Sequence, residues 1–268
     1  MERLTKQAQT IRCHILAMIT DAQVGHIGGS FSSADILTAL YFHIMRIDPL
    51  NPNWPDRDRF ILSKGHGATL LYSALAERGF FSVDELSTFG KLGSILQVHP
   101  DRNKVPGVEA STGALGQGLS IGIGMALAAK LDKKNYHTYV VLGDGEIQEG
   151  QVWEAAMFAS HFKVDNLTAI LDYNNVQLMG NVPDIMQIKP VKEKWESFGW
   201  NTIEINGHDF SQIINAVNSA KMKKGVPTII IAKTIKGKGV SFMQNTCEWH
   251  GKAPSNEEYK KAIRELKA

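Results

Sequence analysis

Apolar residues recur at helical spacing from the first turn of the chain. Leu4, Ala8, Ile11, Ile15, Met18, Ile19 and Ala22 share one face, which predicts an amphipathic helix. A second helix is expected where Ile36, Leu37, Leu40, Tyr41 and Ile44 lie together, with Ser32 and Asp35 in a capping-box-like arrangement at its start. The stretch DPLNPNWPDRD, residues 48–58, interrupts the pattern. Proline has no backbone donor and biases the residue before it away from helix, so this segment is expected to cross the surface irregularly.

From about residue 105 onward, helical and strand patterns alternate. A small-residue helix over 117–130 leads to strand TYVVL, followed by a helix over 151–162 and strand LTAILDY. A helix over 190–198, strand WNTIEI, a helix over 211–224 and strand TIIIAKT complete the series. The strands read as continuous apolar runs, the pattern of a parallel sheet covered by helices on both faces. The expected fold class is α/β, an open, doubly wound, mostly parallel sheet flanked by helices. With no repeat, low-complexity tract or linker, residues 1–268 read as one domain with an N-terminal helical arm. In such sheets ligands bind outside the carboxyl ends of the strands.

Composition narrows the function classes. The 268 residues are 43% hydrophobic, and 29 basic residues against 27 acidic ones leave a formal net charge of +2. The basic residues are scattered, which argues against a nucleic-acid partner. Cys13 and Cys247 lie far apart in no zinc-binding or redox spacing, as suits a reducing compartment. The N-terminus carries charges among its apolar residues and no run reaches membrane-spanning length. A soluble, cytoplasmic protein without membrane association is expected.

The stretch VVLGDGEIQEG, residues 140–150, ends a strand on Asp144 between Gly143 and Gly145, and the next strand ends on Asn174 and Asn175. If those strands are neighbours, Asp144 and Asn174 stand side by side at the carboxyl edge of the sheet. One carboxylate oxygen, one amide oxygen and a loop carbonyl form a thin set of hard ligands. Mg²⁺ is commonly held by one or two carboxylates together with phosphate oxygens, so the shortage of protein anions points to a diphosphate ligand. Gly143 and Gly145 are expected to admit phosphate to the backbone and donate their N–H groups, and a helix starting near Gly150 adds a positive dipole end. Other phosphate motifs fail: GKG at 237–239 lacks the rest of a Walker loop, and GQGLSIG at 116–122 misses the third glycine of a dinucleotide fingerprint.

The pairing of GDG with NN, separated by residues 146–173, is the pattern of thiamin diphosphate enzymes. The chain resembles the N-terminal, diphosphate-binding half of transketolase through ordered landmarks: GHIGGSFSSADIL, RDRFILSKGHGATLLYSAL, QVHPD, VPGVEASTGALGQGLSIGIGMALA, GDGEIQEGQVWEAAMFA, DYNNVQ and WHGKAP. The resemblance implies Mg²⁺, with Ca²⁺ as an alternative, held by Asp144, Asn174 and the carbonyl of Val176. It implies cofactor contacts at His66, Gly113, Ala114, Leu115, Gly145, Glu149, Asn174, Val176, Leu178 and His250. Catalytic roles fall to His26, His66, His99 and His250, with His26 and His99 on the substrate side. The implied reaction moves a two-carbon ketol unit from a ketose phosphate to an aldose phosphate.

Transketolases are usually far longer and carry a glutamate in a second domain that activates the cofactor. Here only Glu257, Glu258 and Glu265 follow His250, in an ordinary amphipathic pattern. The resemblance therefore implies a split enzyme, with a separate C-terminal subunit completing an α2β2 heterotetramer, and places Glu149 and Glu154 at a subunit contact. Ile27 stands where the family often has proline, and Val98 where glycine is usual. Alternative readings are a subunit of another thiamin enzyme, similar to deoxyxylulose phosphate synthase or a 2-oxoacid dehydrogenase, and a non-catalytic cofactor-binding module.

Neighbouring residues separate the nine histidines. His26 lies near Gly25, Gly28 and Gly29, and His66 lies between Gly65 and Gly67, where open backbone suits a ligand; His99 precedes proline and His250 precedes glycine. His14, His43, His137 and His161 lack such neighbours and read as structural, and His208 reads as turn chemistry. The series Gly116, Gly118, Gly122, Gly124 and Ala126 reads as a close-packing helix face.

Overall fold

In the computed structural model, which covers residues 1–268, helix α1 spans Glu2–Ala22, α2 Ile27–Ser32 and α3 Ala34–Ala39, the last continuing into a π-turn, Leu40–Ile44. Strand β1 (Arg59–Leu62) precedes α4 (Ala68–Arg78) and α5 (Gln117–Leu131). The remaining elements are β2 (Thr138–Gly143), α6 (Gly150–His161), β3 (Leu167–Tyr173), α7 (Val182–Ile185), α8 (Val191–Ser197), β4 (Asn201–Asn206), α9 (Phe210–Met222), β5 (Thr228–Lys233) and α10 (Asn256–Lys267). The periodic segments thus fall where the pattern places them. β1 carries no such signal, because four residues between a proline-rich crossing and a glycine turn are too short for a period to show.

The five strands are all parallel, in the order β1-β2-β3-β5-β4. The apolar runs are explained by two buried faces. Phe60, Leu62, Tyr139, Val141, Ile170 and Ile230 join α1, α3, α4 and α9 in one core. Ile61, Val140, Leu142, Ala169, Leu171, Ile229 and Ile231 join α5, α6 and α8 in the other. β4 departs from the expected pattern because it is the edge strand, and only Ile205 of its six residues is buried. The chain passes from β3 over one position to β4 and then returns inward to β5. A crossover of constant hand puts the helix of a reversed connection on the opposite face, which matches α8 in one core and α9 in the other.

Helix α1 buries its apolar stripe against α4 and α10. The capping box expected at Ser32 and Asp35 does not form. Ser32 ends α2 and donates its hydroxyl to Asp172. Asp35 instead accepts from the two terminal guanidinium nitrogens of Arg12, at 3.1 and 2.6 Å, and from Nδ1 of His208 at 2.7 Å. The small-residue face of α5 packs against the sheet: a Cβ on Gly118 would lie 2.5 Å from the Ser63 side chain, and one on Gly122 2.4 Å from Val140 Cγ2. Gly124 faces open space. No helix is long and apolar enough to cross a membrane.

Candidate active site

The carboxyl ends of β1, β2, β3 and β5 converge on a cleft of about 390 Å³. The adjacency that the candidate ligand set required is present: β2 pairs with β3 in parallel, with Gly143 opposite Asp172. Asp144, 2% exposed, and Asn174, 8% exposed, stand at the two strand tips. Asp144 accepts the N–H of Asn175 through Oδ2 and that of Gly145 through Oδ1 at 2.8 Å. Burial, with Asp172 nearby, pushes the Asp144 carboxyl up to about 7 despite these donors. Asn175 has a left-handed backbone, φ 63°, one of the few non-glycine positions to do so, as asparagine tolerates best.

Two expectations about the glycine loop require correction. The N–H groups of Gly145 and Gly143 do not point free toward a phosphate: one is taken by Asp144 and the other by Glu146 Oε2 at 2.9 Å. Glu146, 2% exposed, also accepts Ser63 Oγ and, at 2.9 Å, the N–H of Gly116. Its carboxylate thereby fastens the β1 tip, the β2 turn and the start of α5 together. Gly65 brings a further segment in: its Cβ position lies 2.5 Å from the Thr112 carbonyl, and Thr112 Oγ1 donates to the carbonyl of Leu62 at 2.7 Å.

Three histidines from distant parts of the chain form a triangle in the cleft. Ring centroids lie 5.0 Å apart for His26 and His66, 5.3 Å for His26 and His250, and 5.3 Å for His66 and His250. All three are held below the ordinary imidazole range. Burial is the first cause in each case, followed by Lys64 for His66, by Lys236 for His250, which falls to about 3, and by His99 for His26. They are neutral at pH 7, so each ring has one donor and one acceptor nitrogen. His99 is exposed at the mouth and packs against Gly113, whose Cβ position lies 3.1 Å from its ring.

Every candidate residue lines this one cleft except Ala114, which is exposed beside it. Gly113, Leu115, Gly145, Glu149, Val176 and Leu178 form its walls with the histidines. Leu115, Glu149 and Leu178 are exposed on the open side, Leu178 to 58%. His208 sits in the expected turn, its N–H donating to Asn206 Oδ1 at 3.0 Å, and its ring does more: Nε2 accepts the N–H of Ile235 at 2.9 Å while Nδ1 meets Asp35, so it clamps α3 to the loop after β5.

Sequence reasoning missed two lysines and one aspartate. Lys64, 2% exposed, donates to Asp172 at 2.6 Å and to the carbonyl of Gly29 at 2.7 Å. Lys236, 1% exposed, donates to the carbonyl of Val176 at 2.7 Å and reaches Nδ1 of His250 at 2.7 Å. Burial pulls the Lys236 ammonium down to about 8 against the attraction of Asp144, which leaves it mostly charged at pH 7. A charged ammonium has only donors, so His250 Nδ1 is the acceptor and its Nε2 carries the proton. The only signal in the letters is that Lys64 adjoins Gly65, just before His66, and Lys236 adjoins the first glycine of GKG.

The donor set here suits a hard divalent cation together with an anionic ligand. The donors available are hard oxygens: the Asp144 carboxylate, the Asn174 amide oxygen and the Val176 carbonyl, which accepts Lys236 Nζ and keeps a second lone pair. Nδ1 of His26 and Nε2 of Gln177, two residues of the cleft wall, are buried without hydrogen-bond partners. Lys236 supplies positive charge beneath the opening, while that of Lys64 is balanced by Asp172 at 2.6 Å.

The family described as transketolase, thiamine diphosphate binding domain, matches residues 4–267. The chain is 44% identical over 266 residues to one of the subunits of the apulose-4-phosphate transketolase of Phocaeicola vulgatus, covering 99% of this chain and 94% of that protein. It is 46% identical over 218 residues to a 6-deoxy-6-sulfo-D-fructose transketolase subunit of a Clostridium species, covering 81% and 79%. Among solved structures, the transketolase of Campylobacter jejuni superposes with a TM-score of 0.94 at 36% identity, covering the whole of this chain but only 43% of that one. The tips of four parallel strands, the histidine triangle and this likeness agree: the chain belongs to the transketolase family, as its N-terminal, thiamine diphosphate binding domain.

Proposed function

We propose that the chain is the N-terminal subunit of a transketolase dependent on thiamin diphosphate and Mg²⁺, moving a two-carbon ketol unit between sugar phosphates together with a separate C-terminal subunit. The observation that carries this reading is the gathering of Asp144, Asn174 and the Val176 carbonyl beside His26, His66 and His250 in one cleft. Two relatives, matched over 94% and 79% of their own length, are named as transketolase subunits, and the chain spans about two fifths of a full-length transketolase.

Asp144, Asn174 and Val176 would hold the cation, and Lys236 would offset part of the diphosphate charge. When bound, the coenzyme would supply a carbon nucleophile and an electron sink for cleavage of a carbon–carbon bond. The Nε2–H of His250 is an oriented donor to an oxygen on which charge develops. His26 and His66, neutral at pH 7, can each donate or accept a proton at a substrate hydroxyl without first losing one to solvent. His99, exposed at the mouth, would meet the distal part of a substrate. Buried Glu146 acts indirectly by holding the loop that carries Asp144.

The open side supports a companion polypeptide. Leu115 and Leu178 at the cleft rim, with Met157, Phe158 and Phe162 of α6 and its end, are exposed apolar side chains, of the kind that a subunit interface covers. An α2β2 heterotetramer would bury them and enclose two coenzymes. The test is ketol transfer by the purified chain with and without its companion, in thiamin diphosphate and Mg²⁺. Activity only in the mixture is expected; activity of the chain alone would overturn the two-subunit reading, and pyruvate turnover in place of ketol transfer would overturn the reaction.

A further inference from the structure

Asp172, the penultimate residue of β3, is fully buried directly beneath the cleft. Its Oδ2 accepts Ser32 Oγ at 2.6 Å, Lys64 Nζ at 2.6 Å and Asn174 Nδ2 at 3.0 Å, and its Oδ1 accepts Thr234 Oγ1. A carboxylate offers about four lone-pair sites, two on each oxygen, so Oδ2, the oxygen that holds Asn174, is fully taken.

The bond from Asn174 has a directional consequence. With Nδ2 committed to a carboxylate, the amide oxygen must turn the other way, where Oδ1 accepts the N–H of Val176 at 3.1 Å and keeps a second lone pair. Turning the amide over would set its oxygen against the Asp172 carboxylate and strand its N–H₂ group. The carboxylate is itself fixed from three directions, by α2 through Ser32, by the β1 tip through Lys64, and by the β5 tip through Thr234.

We propose that Asp172 is a positioning residue for the divalent cation, holding the Asn174 amide with its oxygen toward the metal seat. This rests on the functional reading above. Groups that orient a ligand in this way typically change metal affinity 10–100-fold when altered.

Two variants test it, with Mn²⁺ as the probe ion. The dissociation constant of Mn²⁺ is measured by electron paramagnetic resonance in the presence of thiamin diphosphate, on the chain assembled with its companion subunit. Asp172→Asn keeps the shape and weakens the anchor, and should weaken Mn²⁺ binding about tenfold, with kcat recovering at saturating metal. A merely structural role would depress kcat at every metal concentration. Asn174→Asp adds a negative charge, so charge counting alone predicts tighter binding. If Asp172 orients the amide, two carboxylates now face each other and Mn²⁺ binds about tenfold more weakly. This variant decides the matter if Asp172→Asn does not fold. Unchanged or tighter Mn²⁺ binding in either folded variant overturns the proposal. An assembled parent that binds neither Mn²⁺ nor the coenzyme overturns the functional reading, and this inference with it.

Discussion

The Lys236 ammonium stands 2.7 Å from the backbone carbonyl of Val176 and 2.7 Å from Nδ1 of His250. One cation thereby ties a candidate metal ligand to a candidate catalytic imidazole. Lys236→Met removes that charge beneath the cleft and is expected to weaken binding of the anionic coenzyme on the order of 10–100-fold, as loss of one or two charge-assisted bonds implies. Lys236→Arg should not rescue, because a planar guanidinium cannot place one nitrogen between both acceptors. Coenzyme titration followed by calorimetry checks both; parent-like affinity in Lys236→Met would refute the role.

His250 offers its Nε2–H to the cleft because its other nitrogen is committed. His250→Ala should lower kcat by roughly 10²–10⁴, the usual scale for a positioned proton donor, with little change in thermal stability since the side chain is only half-buried. His250→Gln, whose amide N–H₂ can take the place of the Nε2–H, should recover part of that loss. Steady-state kinetics of the assembled enzyme decide it, and equal activities for the two variants would contradict the tautomer assignment.

Gly65 and Gly124 predict opposite responses to the same change. A methyl group at Gly65 would lie 2.5 Å from the Thr112 backbone, so Gly65→Ala must push two chain segments apart. The cost is about 3 kcal/mol, or roughly 6 °C or more in Tm for a chain of this size. Gly124 lies in α5 with nothing within 4 Å, and Gly124→Ala should stabilise by up to about 1 kcal/mol. Thermal melting of the two variants gives the comparison.

His137 provides a pH dependence. It is buried, meets Thr168 Oγ1 at 2.8 Å, and is pulled down to about 3 by burial first and then by Lys221 and Lys224. The unfolded chain takes up this proton near pH 6.5. Between the two values the unfolded state binds more protons, so stability rises with pH there. The contribution is complete above about pH 6.5 and is lost as pH falls toward 3. His137→Gln keeps a partner for Thr168 and removes the titration. Between pH 7.5 and 5 it should lose about 2 kcal/mol less stability than the parent, from 1.36 kcal/mol per pH unit. Urea unfolding at the two pH values measures it, and equal losses would refute the assignment.

Much of the site was legible because its parts sit at strand ends that the apolar pattern marks. Asp144 follows TYVVL and Asn174 follows LTAILDY, so a parallel-sheet reading alone brings them near one edge. Lys64, Lys236 and Asp172 were not legible, since nothing in the letters distinguishes a lysine under a cleft from one in solvent, or an aspartate that ends a strand from one that caps a turn. The glycine N–H groups were assigned to a ligand because the competing carboxylates of Asp144 and Glu146 are close only after the turn has formed. The edge position of β4 was likewise invisible to a pattern that does not state strand order.

Periodicity, punctuation and the spacing of GDG and NN determined the elements, the parallel sheet and the edge on which the chemistry sits, because each reflects geometry local to a few residues. Tertiary structure alone decided which side chains meet there. His26, His66 and His250 form a triangle, and Asp172 gathers Ser32, Lys64, Asn174 and Thr234, through contacts between segments as much as 224 residues apart. Such partners are chosen by how helices and strands pack, and a burial pattern along one strand carries no information about what arrives from another.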